Sequence, residues 1–184
     1  MKHPFENIQP LRRRSLFLIL LAGTLLIMLV MNSVGGPLNT PAAPYGIVSF
    51  EFAATQEKAQ AMIASWGAEG RVRAAFIQGM DFLFPLAYAS AISLGCVMAG
   101  SVLAGRKWPL AAAGSRLAWG IWLAAGLDYI ENIVLTAILL GAGADGWAMV
   151  AAVCAAVKFG LIFFGMAYAL YGWVIHLAVP GPAR

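Results

Sequence analysis

The chain has 184 residues, of which 61% are hydrophobic and only 11% are charged, and its mean hydropathy is +0.81. Soluble domains usually carry about 25% charged residues, so this composition excludes a water-soluble enzyme and a disordered chain. The net charge of +4 arises from basic residues beside apolar runs, which indicates membrane orientation and not nucleic-acid binding. The composition therefore predicts an integral membrane protein.

Four apolar runs are long enough to cross a bilayer, which takes about 20 residues as a helix. They cover residues 15–34, 74–104, 109–140 and 147–177. No clear cleavage site follows the first run, so we interpret it as an uncleaved anchor. We expect the third to begin with Pro109 in its first turn and the fourth to stop before Pro180. Residues 1–184 thus form one domain, an all-α four-transmembrane-helix bundle.

An even number of spans places both termini on the same side of the membrane. Eight basic residues lie on that side and three on the other: Lys2, Arg12, Arg13, Arg14, Arg106, Lys107, Arg116 and Arg184 against Lys58, Arg71 and Arg73. Basic residues next to spans are retained in the cytoplasm. We therefore expect both termini to be cytoplasmic.

The loop at residues 35–73 lies on the outer face in this topology. Its segment Gly46–Phe52 alternates apolar and polar residues but has no strand to pair with, so we expect an extended segment. Thr55 is expected to cap a short amphipathic helix, which Gly67 and Gly70 end. The apolar stripe of this helix comprises Ala59, Met62, Ile63 and Trp66. We expect the helix to lie on the outer membrane face or to cap the bundle, either as an ordered cap or as a mobile lid over a site.

Four charged residues lie within the predicted spans: Asp81, Asp128, Glu131 and Lys158. Each costs about 2.5–3.5 kcal/mol at the bilayer centre, so they should be paired, neutral or hydrated. Glu131 and Lys158 lie about 15 Å and about 16 Å from the turn that joins their spans, at 1.5 Å per residue, and should meet. Asp128 lies one turn from Glu131 on the same face, and Asn132 adds an amide.

Pro85 is expected to kink the second span next to Asp81. Proline has no N–H to bond the carbonyl four residues earlier, which here is the carbonyl of Asp81. Tyr88 shares this helix face, together with Gln78. The candidate ligand-binding residues are Asp81, Tyr88, Asp128, Glu131, Asn132 and Lys158.

These polar residues allow a structural or a functional interpretation. Lys158 could simply pair with Glu131 or Asp128 in the core of the bundle. One lysine cannot neutralise three carboxylates, however, so at least one acid should be protonated or bind a cation. The spacing of the acids indicates no metal site, and no motif indicates a cofactor or assigns a catalytic residue.

Several segments resemble a family of uncharacterised bacterial four-span integral membrane proteins. They are Thr40-Pro-Ala-Ala-Pro-Tyr-Gly-Ile-Val-Ser-Phe-Glu51, Ala59-Gln-Ala-Met-Ile-Ala-Ser-Trp66, Gly79-Met-Asp-Phe-Leu-Phe84 and the acidic element Asp128-Tyr-Ile-Glu-Asn132. The resemblance covers about residues 40 to 135. It implies a multi-pass protein of the bacterial inner membrane and assigns no activity.

Three functions fit these observations. The first is a non-enzymatic membrane protein whose polar site binds or passes a small ligand, an ion or a lipid headgroup. The second is a membrane enzyme acting on a lipid-linked substrate, with Asp81 and Glu131 as acid and base. The third is an accessory subunit of a larger membrane complex. The expected partners are membrane lipids and a further copy or a larger complex, and no nucleic acid.

Overall fold

The computed structural model describes residues 2–179, and all the regular structure in this range is helical. Six α-helices follow one another: α1 (Pro10–Gly35), α2 (Ile47–Glu51), α3 (Gln56–Met80), α4 (Phe84–Gly105), α5 (Ala113–Leu139) and α6 (Trp147–Ala178). Two 3₁₀ turns, Pro4–Asn7 and Gly36–Leu38, flank α1. The predicted stop at Pro180 and the basic Arg184 lie outside the described residues.

Four of the helices are long and apolar enough to cross a membrane. They are Pro10–Leu38, Phe84–Gly105, Ala113–Leu139 and Trp147–Ala178. Even the shortest has 22 residues and reaches about 33 Å at 1.5 Å per residue, which exceeds a hydrocarbon core of about 30 Å. The predicted fold class, an all-α membrane protein with four transmembrane helices, is confirmed.

The second apolar run contains a break between two helices. Helix α3 ends at Met80, and α4 begins at Phe84 after a short turn. Pro85 is the second residue of α4, where its missing N–H would have had no partner inside the helix. The expected kink therefore takes the form of a new helix start, and Asp81 lies in the turn before the span.

The third span begins later than expected. Pro109 lies in a turn and not in the first helical turn, because α5 begins at Ala113. Leu110 has a φ of 66° and Lys107 a φ of 52°. These left-handed conformations are incompatible with a continuous right-handed helix, so the predicted start at Pro109 is wrong.

The segment between the first two spans differs most from the sequence-based expectation. Residues Ile47–Glu51 form the short helix α2 and not an extended segment, since a lone strand would leave its backbone groups without a ladder. The predicted N-cap is confirmed, because the Thr55 side chain accepts a hydrogen bond from the backbone N–H of Lys58. Gly67, at φ 63°, interrupts α3, but helical structure resumes and passes through Gly70. The predicted end at Gly70 is therefore wrong.

The described chain divides into two compact units. Unit 1 comprises residues 2–24, 87–125 and 159–179. Its core is built from small and aromatic side chains, among them Cys96, Ala118 and Tyr168. Gly114 of α5 lies against α4 so closely that a β-carbon there would come within 2.8 Å of the Cys96 carbonyl oxygen. Such close approach of small residues supports helix association where lipid supplies no hydrophobic drive.

Unit 2 comprises residues 25–86 and 126–158. Phe50 and Trp66 pack edge to face with ring centroids 5.4 Å apart. The Trp66 indole N–H donates to the Leu38 carbonyl oxygen at 2.9 Å, which ties α3 to the end of the first span. Ile138 of α5 and Ala151 of α6 complete this core. The packing holds α2 beside α5 and α6, where the polar residues lie.

Candidate functional site

Lys158 of α6 is the centre of a buried group of charges in unit 2. Its ammonium nitrogen lies 2.7 Å from Asp128 Oδ1 and 2.9 Å from Glu131 Oε1, both of α5. It also lies 3.5 Å from Glu51 Oε2 of α2. Lys158 is only 4% exposed and Glu131 is fully buried. The structure thus brings together the three residues for which the sequence predicted contact.

Two local features of the sequence place these residues opposite one another. Asp128 and Glu131 are three residues apart on α5, so they project from one face. Gly141 and Gly146, with φ values of 81° and 84°, form the turn that reverses the chain between α5 and α6. Positive φ is accessible to glycine without steric penalty. Because the two helices run antiparallel from this turn, Lys158 reaches the depth of Glu131.

Glu51 is the charged partner that sequence reasoning missed. Alternation of apolar residues predicted an extended segment, in which Phe50 and Glu51 would point to opposite faces. In helix α2 both are buried, with 1% and 6% of their surface exposed. The available signal was an acid placed between Phe50 and Phe52, in a segment otherwise short of charge.

The side chain of Asn132, a residue of α5, bonds to the turn that precedes α4. Its side-chain N–H donates to the Asp81 backbone carbonyl oxygen at 2.8 Å. Its side-chain oxygen accepts from the Gln78 side-chain amide at 3.0 Å. Asn132 is fully buried. The carbonyl left free by Pro85 therefore bonds to a side chain, which satisfies the backbone where lipid cannot.

Asp81 and Glu51 both lie outside the four apolar spans and are strongly affected by burial. Burial, followed by the charge of Asp128, raises the pKa of Asp81 to about 7, against the opposing effect of Lys158. Burial also raises the pKa of Glu51, and Lys158 opposes this as well. We call Glu51, Asp81, Asp128, Glu131, Asn132 and Lys158 the acid–lysine cluster. It contains four carboxyl groups and one amine.

Two carboxyl oxygens of the acid–lysine cluster accept no hydrogen bond from the residues that the structure describes, although one of them lies 3.5 Å from the Lys158 ammonium. They are Oε2 of Glu51 and Oε2 of Glu131, and both are buried. The two side chains are within hydrogen-bonding reach of each other. Two carboxylates cannot bond to each other without a proton, because an ionised carboxylate is only an acceptor. One shared proton would supply the missing donor.

The candidate Tyr88 is buried on α4 and belongs to unit 1. Its predicted alignment with Gln78 and Asp81 assumed one continuous helix. Since α3 ends at Met80, helical spacing does not carry across the break. The helical spacing on which the prediction of Tyr88 as a site residue rested therefore does not apply.

Within residues 2–179, no grouping of three or more histidine, cysteine, aspartate or glutamate side chains is arranged to hold a metal ion. Comparisons of the chain with models of protein families, with curated proteins and with solved structures found no match. The resemblance to bacterial four-span proteins therefore stays a prediction.

Proposed function

We propose that the chain is an integral protein of the bacterial inner membrane, with both termini in the cytoplasm, whose acid–lysine cluster takes up and releases a proton. The observation that carries this proposal is the pair Glu51 and Glu131, whose side chains lie within hydrogen-bonding reach of each other and each keep one carboxyl oxygen that accepts no hydrogen bond. The basic residues that flank the spans support the orientation.

The balance of charge favours proton binding at this pair. If all four carboxyl groups were ionised, the single ammonium of Lys158 would leave three uncompensated negative charges in a buried site. Nearby like charge and burial both favour the neutral form of a carboxyl group. Lys158 already contacts three of the carboxyl groups, so a proton is the smallest addition that relieves the excess.

The position of each acid suggests a direction for proton movement. Glu51 lies on α2, in the segment between two spans, whereas Glu131 lies within the span Ala113–Leu139. A proton passing from Glu51 to Glu131 would thus enter a span. Asp128 lies about one helical turn from Glu131 on α5, about 4.5 Å at 1.5 Å per residue, and contacts the same Lys158 ammonium. These groups form a short relay.

Proton flux into liposomes tests the proposal. The full chain is reconstituted with an entrapped pH-sensitive dye, and a potassium diffusion potential drives protons inward. We expect flux from the wild type and its loss in Glu51→Gln and Glu131→Gln, which keep the shape but cannot carry the proton. Glu57→Gln is the matched control, because Glu57 is an exposed acid of α3.

Infrared difference spectroscopy provides a second readout. A shared proton gives a carboxylic-acid C=O band in the wild type that disappears in Glu51→Gln and in Glu131→Gln. If both variants insert and fold normally, and flux and band equal those of the wild type, the cluster is purely structural.

A membrane enzyme acting on a lipid-linked substrate is the second candidate, favoured by Asp81. A pKa of about 7 suits a group that donates and accepts protons near neutral pH. Incubation of the purified chain with a bacterial lipid extract, with and without divalent metal, would reveal turnover as new masses. Absence of turnover under all these conditions argues against this candidate.

A further inference from the structure

An apolar groove lies in unit 1, away from the residues used above. It encloses about 410 Å³ and is lined from α1, α4 and α6, with Phe17, Val102 and Trp173 among its residues. Trp173 is 59% exposed, so this wall of the groove faces the surroundings of the protein. The volume lies within the range of about 300–1,000 Å³ that is typical of small-ligand sites.

A cation with unused hydrogen-bond donors, Arg106, contacts a residue at one end of the groove. His176 is the polar residue of the lining, and the Arg106 Nη2 group donates to its carbonyl oxygen at 2.8 Å. The Nε and Nη1 groups of Arg106 are buried and have no hydrogen-bond partner among residues 2–179. Buried donors without acceptors are unfavourable, so this end is suited to an incoming anion.

No carboxylate of unit 1 is available to serve Arg106. The only acidic residue in this unit is Glu6, and its carboxylate accepts hydrogen bonds from the Ser115 hydroxyl and the His3 backbone N–H. The adjacent Lys107 adds to the positive charge. Arg13, also in unit 1, donates hydrogen bonds to Ser101, Ile8 and Glu6, whereas Arg106 keeps two N–H groups without an acceptor among the described residues.

We propose that this groove binds an acyl chain of an anionic phospholipid, whose phosphate group is held by Arg106. The guanidinium of Arg106 can donate to phosphate oxygens through its Nε and Nη1 groups, and the apolar walls receive the hydrocarbon. A zwitterionic phospholipid would enter the same groove, but its positive headgroup would meet the charges of Arg106 and Lys107. The site therefore selects for negative headgroup charge.

Quenching of Trp173 fluorescence by brominated lipids tests this proposal on the full chain. The protein is reconstituted in phosphatidylcholine vesicles, and increasing mole fractions of phosphatidylglycerol with dibrominated acyl chains are incorporated. A parallel series uses phosphatidylcholine with the same chains. Subtraction of the Trp173→Phe signal isolates the groove from the other five tryptophans. We expect half-maximal quenching at a several-fold lower mole fraction of phosphatidylglycerol, and equal curves would overturn the proposal.

Two variants separate the headgroup contact from the acyl-chain contact. Arg106→Gln should remove the preference for phosphatidylglycerol while quenching by phosphatidylcholine persists. Lys107→Gln removes an adjacent exposed charge and should keep the preference. Val102→Phe fills the groove and should weaken quenching by both lipids, whereas Ala104→Phe, on an exposed position of α4, should not. Circular dichroism verifies the fold of each variant.

Inorganic phosphate distinguishes a lipid from a free anion. A large excess added to the vesicles should leave the quenching curves unchanged, because the acyl chain holds the lipid in place. If phosphate alone abolishes the preference, or if the preference survives in a folded Arg106→Gln variant, the groove does not recognise an anionic phospholipid through Arg106.

Discussion

The two units of the molecule carry opposite net charge. Among the described residues, unit 1 holds Lys2, Arg12, Arg13, Arg14, Arg106, Lys107 and Arg116 against Glu6, a net charge of +6. Unit 2 holds Lys58, Arg71, Arg73 and Lys158 against Glu51, Glu57, Glu69, Asp81, Asp128, Glu131 and Asp145, a net charge of −3. Arg184, outside the described residues, completes the net charge of +4 of the whole chain. The net charge of the chain thus combines a basic unit and an acidic unit.

The units also satisfy their buried polar groups differently. In unit 1 the hydroxyls of Ser93 and Tyr168 donate to the backbone carbonyls of Ala118 and Leu110. These neutral bonds need no change of protonation. In unit 2 the buried acids Glu51, Asp128 and Glu131 contact Lys158, and two of their oxygens accept no hydrogen bond from the described residues. Proton chemistry is therefore expected in unit 2, and lipid contact at the basic groups of unit 1.

Lys158→Met is expected to lower the free energy of unfolding more than any other change proposed for the two units. It leaves the buried Asp128 and Glu131 without their ammonium partner, and breaking a buried ion pair typically costs about 3–5 kcal/mol. The free energy of unfolding should fall by about that amount. Lys58→Met, on the exposed side of α3, is the matched control and should change it by less than about 0.5 kcal/mol. Equal stabilities would show that the acids do not need Lys158.

A pH dependence of stability should arise from Asp81. Its pKa rises from 3.8 to about 7 in the folded chain, so between these values the folded state binds more protons than the unfolded state. The contribution of Asp81 to stability is therefore fully present below about pH 4 and is lost as the pH rises to about 7, with a slope of at most about 1.4 kcal/mol per pH unit.

Melting temperatures measured in detergent from pH 4 to pH 8 check this dependence. Asp81→Asn should flatten the decline, because the amide does not titrate. The exposed Asp145→Asn should retain the wild-type profile. A profile of Asp81→Asn that declines as steeply as the wild type would assign the dependence to another group.

Asn132→Leu tests the neutral part of the acid–lysine cluster. It removes the partner of the Asp81 carbonyl and the nearer of two acceptors of the Gln78 side-chain amide, and an unsatisfied buried group costs about 1–3 kcal/mol. Pro85→Ala restores an N–H that can bond the same carbonyl. Pro85→Ala should therefore recover part of the loss in the Asn132→Leu background. Additive effects in a double-mutant cycle would contradict this shared role.

The contacts of Lys158 could be predicted because they depend on distance along two helices joined by a short turn. Glycine in that turn fixes the antiparallel arrangement, and the rise per residue sets the depth. The burial of Glu51 could not be predicted in this way. The apolar alternation of Val48, Phe50 and Phe52 fits a strand or a single helical turn, and the choice depends on packing of Phe50 against Trp66.

The turn between α3 and α4 was also only partly predictable from the sequence. The loss of an N–H at Pro85 follows from covalent chemistry alone, so a free Asp81 carbonyl was predictable. Its partner Asn132 lies 51 residues further along the chain, and pairing over that separation depends on how α5 is rotated. The sequence thus predicts which backbone group needs a hydrogen-bond partner, but it does not predict which residue will be that partner.

Gly114→Ala gives the smallest expected effect and tests the packing of unit 1. Its new β-carbon would come within 2.8 Å of the Cys96 carbonyl oxygen and 3.1 Å of the Gly100 Cα, and overpacking of this kind costs about 1–3 kcal/mol. Alanine recovers about 0.5–1 kcal/mol of helix propensity, so the net loss should be near the lower end.

Gly126→Ala is the matched control on the same helix, where a β-carbon meets no atom within 4 Å. It gains the propensity without the clash, so its unfolding free energy should equal or exceed that of the wild type. The difference between the two variants isolates the close approach of α4 and α5. If Gly114→Ala is as stable as Gly126→Ala, backbone proximity at Gly114 does not stabilise unit 1, and its neutral hydrogen bonds must be the larger contribution.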